Sequence, residues 1–359
     1  MKHLSLLLLP LLAAQICAAQ TNKPAATAWP AGKPFAPTEL PGKGLAEHDF
    51  FYAGEAQVEQ MFIVRNGKIV WDFTHPANGE ISDAVLETNG NILFAHQHGV
   101  TEISADKKVV WDYQAPTNTE IHTAMPYGSN SFWFVQNGDP AKFVMRNKTT
   151  GGVEHEFILP VKNPKSIHGH FRHARMTDAG TLLIAHMDLG KAAEYDLTGR
   201  ELWSLDVPGI WSATPLKNGN VLVVSNQKFV REVNRAKETL WEWTPADAPD
   251  YKFSNLQLAL RLPNGNTIIN DWFNQWNGKV NATNAPVQAI EVTPDKKSSG
   301  PCTRGRRPRT SAPPQPSRFS INIERHGRAR AARPRVQNQT AHGRAVRVHI
   351  ARKFCRNSG

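Results

Sequence analysis

Histidine and arginine crowd one short stretch of this chain, Ile167-His168-Gly169-His170-Phe171-Arg172-His173. Neutral imidazole can ligate zinc or copper, take up a proton or attack an electrophile, and a guanidinium stabilises a transferring oxyanion. On a strand, His168 and His170 would face the same side, because side chains alternate. His96 and His98 repeat that spacing. Neither pair is joined by a Glu or a third His at a fixed metal-binding interval, so no metal ligands are assigned, and loop histidines bonded to backbone carbonyls are the expectation.

The elements that must position these residues repeat. Five stretches carry an apolar run, a Gly-centred turn and a second apolar run, and four of them go on to a strand closing on an aromatic residue. The turns lie at Asn89-Gly90-Asn91, Gly128, Asp178-Ala179-Gly180, Asn218-Gly219-Asn220 and Asn264-Gly265-Asn266. The closures are Trp111, Phe157, Trp203 and Trp241-Glu242-Trp243, and the fifth is missing. Asn-Gly between runs of Val, Ile, Leu and Phe is a strong hairpin signal, because Gly supplies the positive φ of a tight turn. A repeat of roughly 40 to 50 residues made only of strands predicts an all-β fold, a β-propeller of four-stranded antiparallel blades.

Met61 to Phe73 reads as the second half of a blade whose first half would come from a C-terminal segment lost to a change of reading frame after Lys297, so that ring closure by N- and C-terminal strands is compromised. This gives six blades. Seven is the alternative, because the fifth unit carries a long insert, Phe273 to Pro286.

Aligning the repeats on the turn glycine places His96, His186, Ser225 and Asp271 at one equivalent position, six residues beyond the glycine. Asp83, His122, His173, Trp211 and Gln257 lie just before the strand pairs. These polar residues are expected to line one central funnel. The ligand-binding set is therefore Asp83, His96, His98, His122, His170, Trp211, Gln257, Asp271 and Trp272. Trp211, Trp272 and Trp276 occupy turn or strand-entry positions where they could offer a platform for a sugar or aryl ring.

The composition breaks at one residue. Asp106-Lys107-Lys108-Val109-Val110-Trp111 is echoed by Asp295-Lys296-Lys297, but Ser298-Ser299-Gly300 follows. Codons TCN, TCN and GGN, moved back one base, permit Val-Val-Trp, and Pro308 to Ser317 back-reads as a plausible blade segment. Loss of one A from the run encoding Lys296 and Lys297 accounts for both. Residues 298–359 hold 14 Arg, one Lys and one Glu, a net +14, so the overall +11 leaves the rest of the chain at −3. The basic balance thus belongs to a tail read as disordered, out-of-frame translation, and it does not argue for nucleic acid, since aromatic residues to stack on bases are nearly absent there.

At the other end, Lys2 precedes the apolar run Leu4 to Leu12, and Ala13, Ala14, Ala18 and Ala19 follow. This reads as a signal peptide, residues 1–19, and predicts a periplasmic or secreted protein. Residues 20–39 form a Pro/Ala-rich lead and 40–297 the propeller. No other run approaches the ~18 apolar residues of a transmembrane segment. Cys17 leaves with the signal, and Cys302 and Cys355 fall in the tail.

Ala193-Glu194-Tyr195-Asp196-Leu197-Thr198-Gly199-Arg200-Glu201-Leu202-Trp203 resembles the Asp-x-x-Thr-Gly-Lys-x-x-Trp blade signature of quinoprotein-like, or PQQ-type, propellers, one residue short between Asp196 and Thr198. The resemblance covers residues 58 to 297. It implies the fold; an enzyme of that kind would carry pyrroloquinoline quinone, calcium and usually a vicinal Cys pair, and no such pair is present. His173-Ala174-Arg175-Met176, the turn at Gly180, the run to His186 and the Asp196 to Trp203 closure resemble a blade of arylsulfotransferase-like propellers. That implies His173 or His186 as nucleophile and Arg172 or Arg175 as charge stabiliser. The sequence reading is an exported propeller binding a small molecule, a saccharide or a periplasmic protein at its channel face. The alternatives are an arylsulfotransferase-like enzyme and a quinoprotein-type oxidoreductase.

Overall fold

Short apolar runs punctuated by glycine turns leave the backbone little choice but hairpins, and hairpins in series must stack their apolar faces on one another. In a computed structural model of the chain, which describes residues 49–54, 59–65, 68–75, 80–272, 289–297 and 320–321, they do so as a six-bladed β-propeller. Residues 1–19 expected to be a signal peptide, the Pro/Ala-rich residues 20–39, Trp276 and the tail apart from 320–321 lie outside the described residues.

Blade one comprises β4 (Asp83–Leu86), β5 (Ile92–Ala95), β6 (Gly99–Ile103) and β7 (Val109–Gln114). Blade two comprises β8 (Glu120–Tyr127), β9 (Ser131–Asn137), β10 (Lys142–Asn147) and β11 (Val153–Ile158). Blade three follows with β12 (Phe171–Met176), β13 (Leu182–His186), β14 (Lys191–Tyr195) and β15 (Glu201–Asp206). Blade four has β16 (Ile210–Pro215), β17 (Val221–Ser225), β18 (Phe229–Val233) and β19 (Thr239–Trp243). The described part of blade five is β20 (Asn255–Arg261), β21 (Thr267–Trp272) and β22 (Ala289–Val292). Every pairing is an antiparallel neighbour, and the first strands of successive blades pack side by side around the centre.

The sixth blade is composite: β1 (Phe50–Gly54), β2 (Glu59–Arg65) and β3 (Lys68–His75) come from the N-terminal side, and β23 (Ser320–Ile321) pairs with β1 on the inner edge. The sequence reading expected both inner strands from the C-terminus. The N-terminal side supplies three strands instead, because Phe50-Phe51-Tyr52-Ala53 is a buried run that pairs in register with Val64 to Met61.

Two recurring devices hold the blades. The turn glycines Gly90, Gly180, Gly219 and Gly265 have φ of 87°, 77°, 84° and 90°, as the hairpin geometry requires. Beside them, the Asn91, Asn220 and Asn266 amides each donate 2.7 Å bonds to Glu102, Glu232 and Glu291 on the third strand. Between blades, the indole Nε1 of Trp71, Trp203 and Trp241 donates to Ala105, Arg235 and Pro294 carbonyls, at 2.8, 3.0 and 2.9 Å, in the last turn of the next blade. The closing Trp residues therefore tie neighbours as well as fill space. Phe157 has no N–H to give and packs at Gly199, where an added Cβ would lie 2.9 Å from its ring. The core itself sits between blades, in successive clusters such as Phe94 with Phe73 and Met61, or Phe143 with Phe171 and Tyr195. Each such aromatic contributes about 1.5–3 kcal/mol by burial.

Candidate functional site

Four inner strands carry the same irregularity. Ile121 pairs with Gln136 and Thr123 with Val135, leaving His122 as the extra residue; Arg172, Trp211 and Gln257 are the extra residues of β12, β16 and β20. A bulge bends the strand and re-aims its side chain, and bulges concentrate beside functional sites. Here they put His122, Arg172, Trp211 and Gln257 at one level of four successive blades.

Arg172 is the centre of the resulting cluster, although it is buried. Its Nη1 donates to Glu80 Oε1, which precedes blade one, and lies 2.6 and 2.9 Å from the two ring nitrogens of His122 in blade two. Its Nη2 meets His168 Nε2 in the loop between blades two and three. Its guanidinium carbon stands 5.9 Å over the Trp211 ring of blade four. Trp211 in turn stacks on Trp272 at the end of β21, with centroids 6.2 Å apart and planes at 25°, and both rings are half-buried.

Glu120 backs this arrangement. One carboxylate oxygen receives His122 Nε2 and His168 Nδ1, each at 2.8 Å, and the other receives the Gln97 amide at 3.0 Å. Burial alone would raise the Glu120 carboxyl, but the bonds from His122, His168 and Gln97 outweigh it and hold the group well below the usual carboxylate range. With Glu120 accepting one N–H from each ring, His122 turns Nδ1 and His168 turns Nε2 toward the guanidinium. Ser82 completes the wall, donating to Glu80 at 2.8 Å with His122 Nδ1 3.0 Å away.

Below this lies a closed ion pair. Arg175 grips Asp83 with two bonds of 2.7 and 2.8 Å, and Thr123 adds a third at 2.7 Å. Asp83 is thus committed to a link among blades one, two and three.

Of the residues expected in one funnel, His122, Trp211 and Gln257 share the bulge position, and Trp272 joins them through its stack. His96, His186, Ser225 and Asp271 do align between blades, but each is buried and bonded within or beside its own blade. His96 meets Thr101 at 3.1 Å and His186 meets Tyr195 at 3.0 Å. Ser225 donates to the Pro208 carbonyl, and Asp271 accepts from Ser254 N–H. Burial pushes the Asp271 carboxyl up to about 7. Burial also pushes His96 down to about 4 and His186 down to about 3.

His173 is buried between blades three and four with Nδ1 donating to the Ala213 carbonyl at 3.1 Å, and burial with the Arg175 charge holds it well below the usual imidazole range. The shared face expected of His168 and His170 is not formed: Ile167–Gly169 is a 3₁₀ turn, His168 is exposed toward Glu120, and His170 is buried with Nε2 on the Asn163 carbonyl at 2.8 Å. His98 sits exposed on the turn before β6. The sequence reading missed Glu80, Ser82, Gln97 and Glu120. The one available signal was Glu120-x-His122, an acid and an imidazole two apart at the start of a strand.

The chain matches no sequence-family profile and no curated protein. Among solved structures, a Bacteroides caccae protein of unknown function superposes with a TM-score of 0.61 at 19% identity, over 70% of this chain and 92% of that one. Virginiamycin B lyase from Staphylococcus aureus (TM-score 0.47, 12% identity, 71% and 87% covered) and BamB from Moraxella catarrhalis (0.41, 12%, 60% and 66%) are more distant in shape. The first likeness is one of fold.

Proposed function

We propose that the protein binds a small polar ligand carrying a ring, a saccharide, at the channel mouth formed by Trp211, Trp272, Arg172, His168 and Glu120. The observation that carries this reading is the half-exposed Trp pair standing beside a dense set of fixed hydrogen-bonding groups. Ligand sites combine an apolar or aromatic wall with a few convergent polar groups, and that is the composition here. Charge supports a neutral or cationic group over a sulfuryl anion, because Glu80 and Glu120 flank the single guanidinium. Export to the periplasm or medium, proposed from residues 1–19, would place the site among such ligands.

The test is tryptophan fluorescence and calorimetry of the full chain, in EDTA, with neutral oligosaccharides of glucose and of N-acetylglucosamine. Saturable binding is expected, weakened at least about tenfold by Trp211→Ala, as for loss of an aromatic anchor. No saturable change with either series, or unchanged affinity in Trp211→Ala, would remove the reading.

A further inference from the structure

Glu80, His122 and His168 come from three separate chain segments, yet each offers a ligand atom within 4.8 Å of the other two. Two further observations point to a cation between them. First, Glu120 accepts a bond from the remote nitrogen of each imidazole, at 2.8 Å, and a carboxylate behind a histidine is the recurring way proteins orient metal-ligating rings. It fixes the tautomers so that lone pairs of His122 Nδ1 and His168 Nε2 face inward. Secondly, a cation already stands among them: Arg172 reaches Glu80 and His122, whose Oε1 and Nδ1 are 2.6 Å apart, with Nη1, and His168 with Nη2.

We propose that Glu80, His122 and His168 form a binding site for a first-row divalent metal ion of the zinc class, in which the Arg172 guanidinium is the cation a metal displaces. Two imidazoles and one carboxylate are a donor set that suits zinc and leaves a coordination position open. His168 is 55% exposed along its side chain, so an ion can enter from the channel mouth. Trp211, over which the Arg172 guanidinium carbon already stands, offers a face on which a displaced guanidinium can rest. The bound ion would stand beside the Trp pair, where it could take an oxygen of the ligand.

The full chain, stripped with EDTA and titrated with Co(II), should develop visible d–d absorption that Zn(II) abolishes. Glu120→Gln should weaken the Co(II) affinity by about 10- to 100-fold, the usual effect of losing an outer-shell partner. His168→Gln, at an exposed position, should remove the absorption while far-ultraviolet dichroism stays unchanged. Arg172→Ala, which deletes the competing cation, should tighten Co(II) binding. Absence of the absorption in the wild type and in Arg172→Ala, or retention of it in His168→Gln, would overturn the proposal. No sugar is present in these titrations, and the oligosaccharide titrations contain no metal, so either reading can fail alone.

Discussion

Lys107 and Lys296 occupy the same left-handed turn position in blades one and five, each with φ of 67°. Their surroundings match as well. Ser104 Oγ and Thr293 Oγ1 both cap at 2.5 Å to the Asp two residues on, Asp106 and Asp295, and both receive the backbone N–H of the second lysine, at 3.2 and 3.1 Å. In blade one this turn delivers Val109-Val110-Trp111 into the outer strand. In blade five the same turn delivers Ser298-Ser299-Gly300.

A turn so alike should feed a strand, which supports reading the residues after Lys297 as out of frame. Sequencing the DNA across the Lys296 and Lys297 codons is expected to show one more A. A protein made from the corrected gene should follow that turn with Val-Val-Trp and replace the Arg-rich tail, β23 of blade six included, with in-frame sequence. It should also melt higher than the 359-residue chain, because an in-frame Val-Val-Trp segment would pair as a fourth strand on β22. An unchanged run of A with no gain in stability on insertion would defeat this account.

The repeat made the blades legible, since period, turn glycine and closing aromatic are properties of sequence alone. What the repeat could not show is which residue of an inner strand faces the channel. A bulge adds one residue and moves a neighbour to the other face, so alignment on the turn glycine singled out His173, while Arg172 next to it reaches the centre. Glu80 and Glu120 were hidden for a different reason. Glu80 acts through His122 and Arg172, 42 and 92 residues away, and Glu120 through His168, 48 residues away, besides its neighbour His122; no local pattern encodes the distant contacts. Phe50 to Ala53 escaped because residues 54–58, which join it to its partner strand, carry no Asn-Gly turn signal.

The interblade indole bonds should be measurable one at a time. Trp203→Phe keeps most of the ring and removes the bond to the Arg235 carbonyl. Stability by urea unfolding should fall by about 1 kcal/mol, the net worth of one hydrogen bond, with little change in the unfolding slope. A loss near zero would mean that the indole only fills space.

The Arg175–Asp83 pair should behave as a buried link among blades one, two and three. Asp83→Ala leaves the guanidinium without its carboxylate and should cost about 3–5 kcal/mol. Replacing both partners by apolar residues, Asp83→Leu with Arg175→Met, should recover a large part of that loss. If the double variant is as unstable as the two losses added, the pair is more than a compensated charge.

Stability should peak near neutral pH, with identifiable groups on each limb. His75, His96 and His186 are pushed down to about 4, 4 and 3, chiefly by burial, while an unfolded histidine titrates near 6.5. Between these values the unfolded chain binds more protons, so their contribution is present above about pH 6.5 and is lost on acidification, by about 2 kcal/mol each at pH 5. Glu59 runs the other way. Burial, with the Glu80 charge, pushes its carboxyl up to about 8, so its 2.8 Å contact with His75 is a neutral hydrogen bond at pH 7 and not an ion pair. The protonated fold is favoured below the unfolded value, and that contribution is lost as pH rises through about 8. Asp271 adds a smaller opposing loss as pH rises toward 7. Melting temperature against pH should therefore rise from about pH 4.5 to 6.5 and fall above pH 7. Glu59→Gln should flatten the alkaline limb and steepen the acid one, because its loss runs from the unfolded value near 4.5 up to about 8, whereas His186→Gln should flatten the acid limb. A curve whose alkaline limb survives in Glu59→Gln would show that another group titrates there.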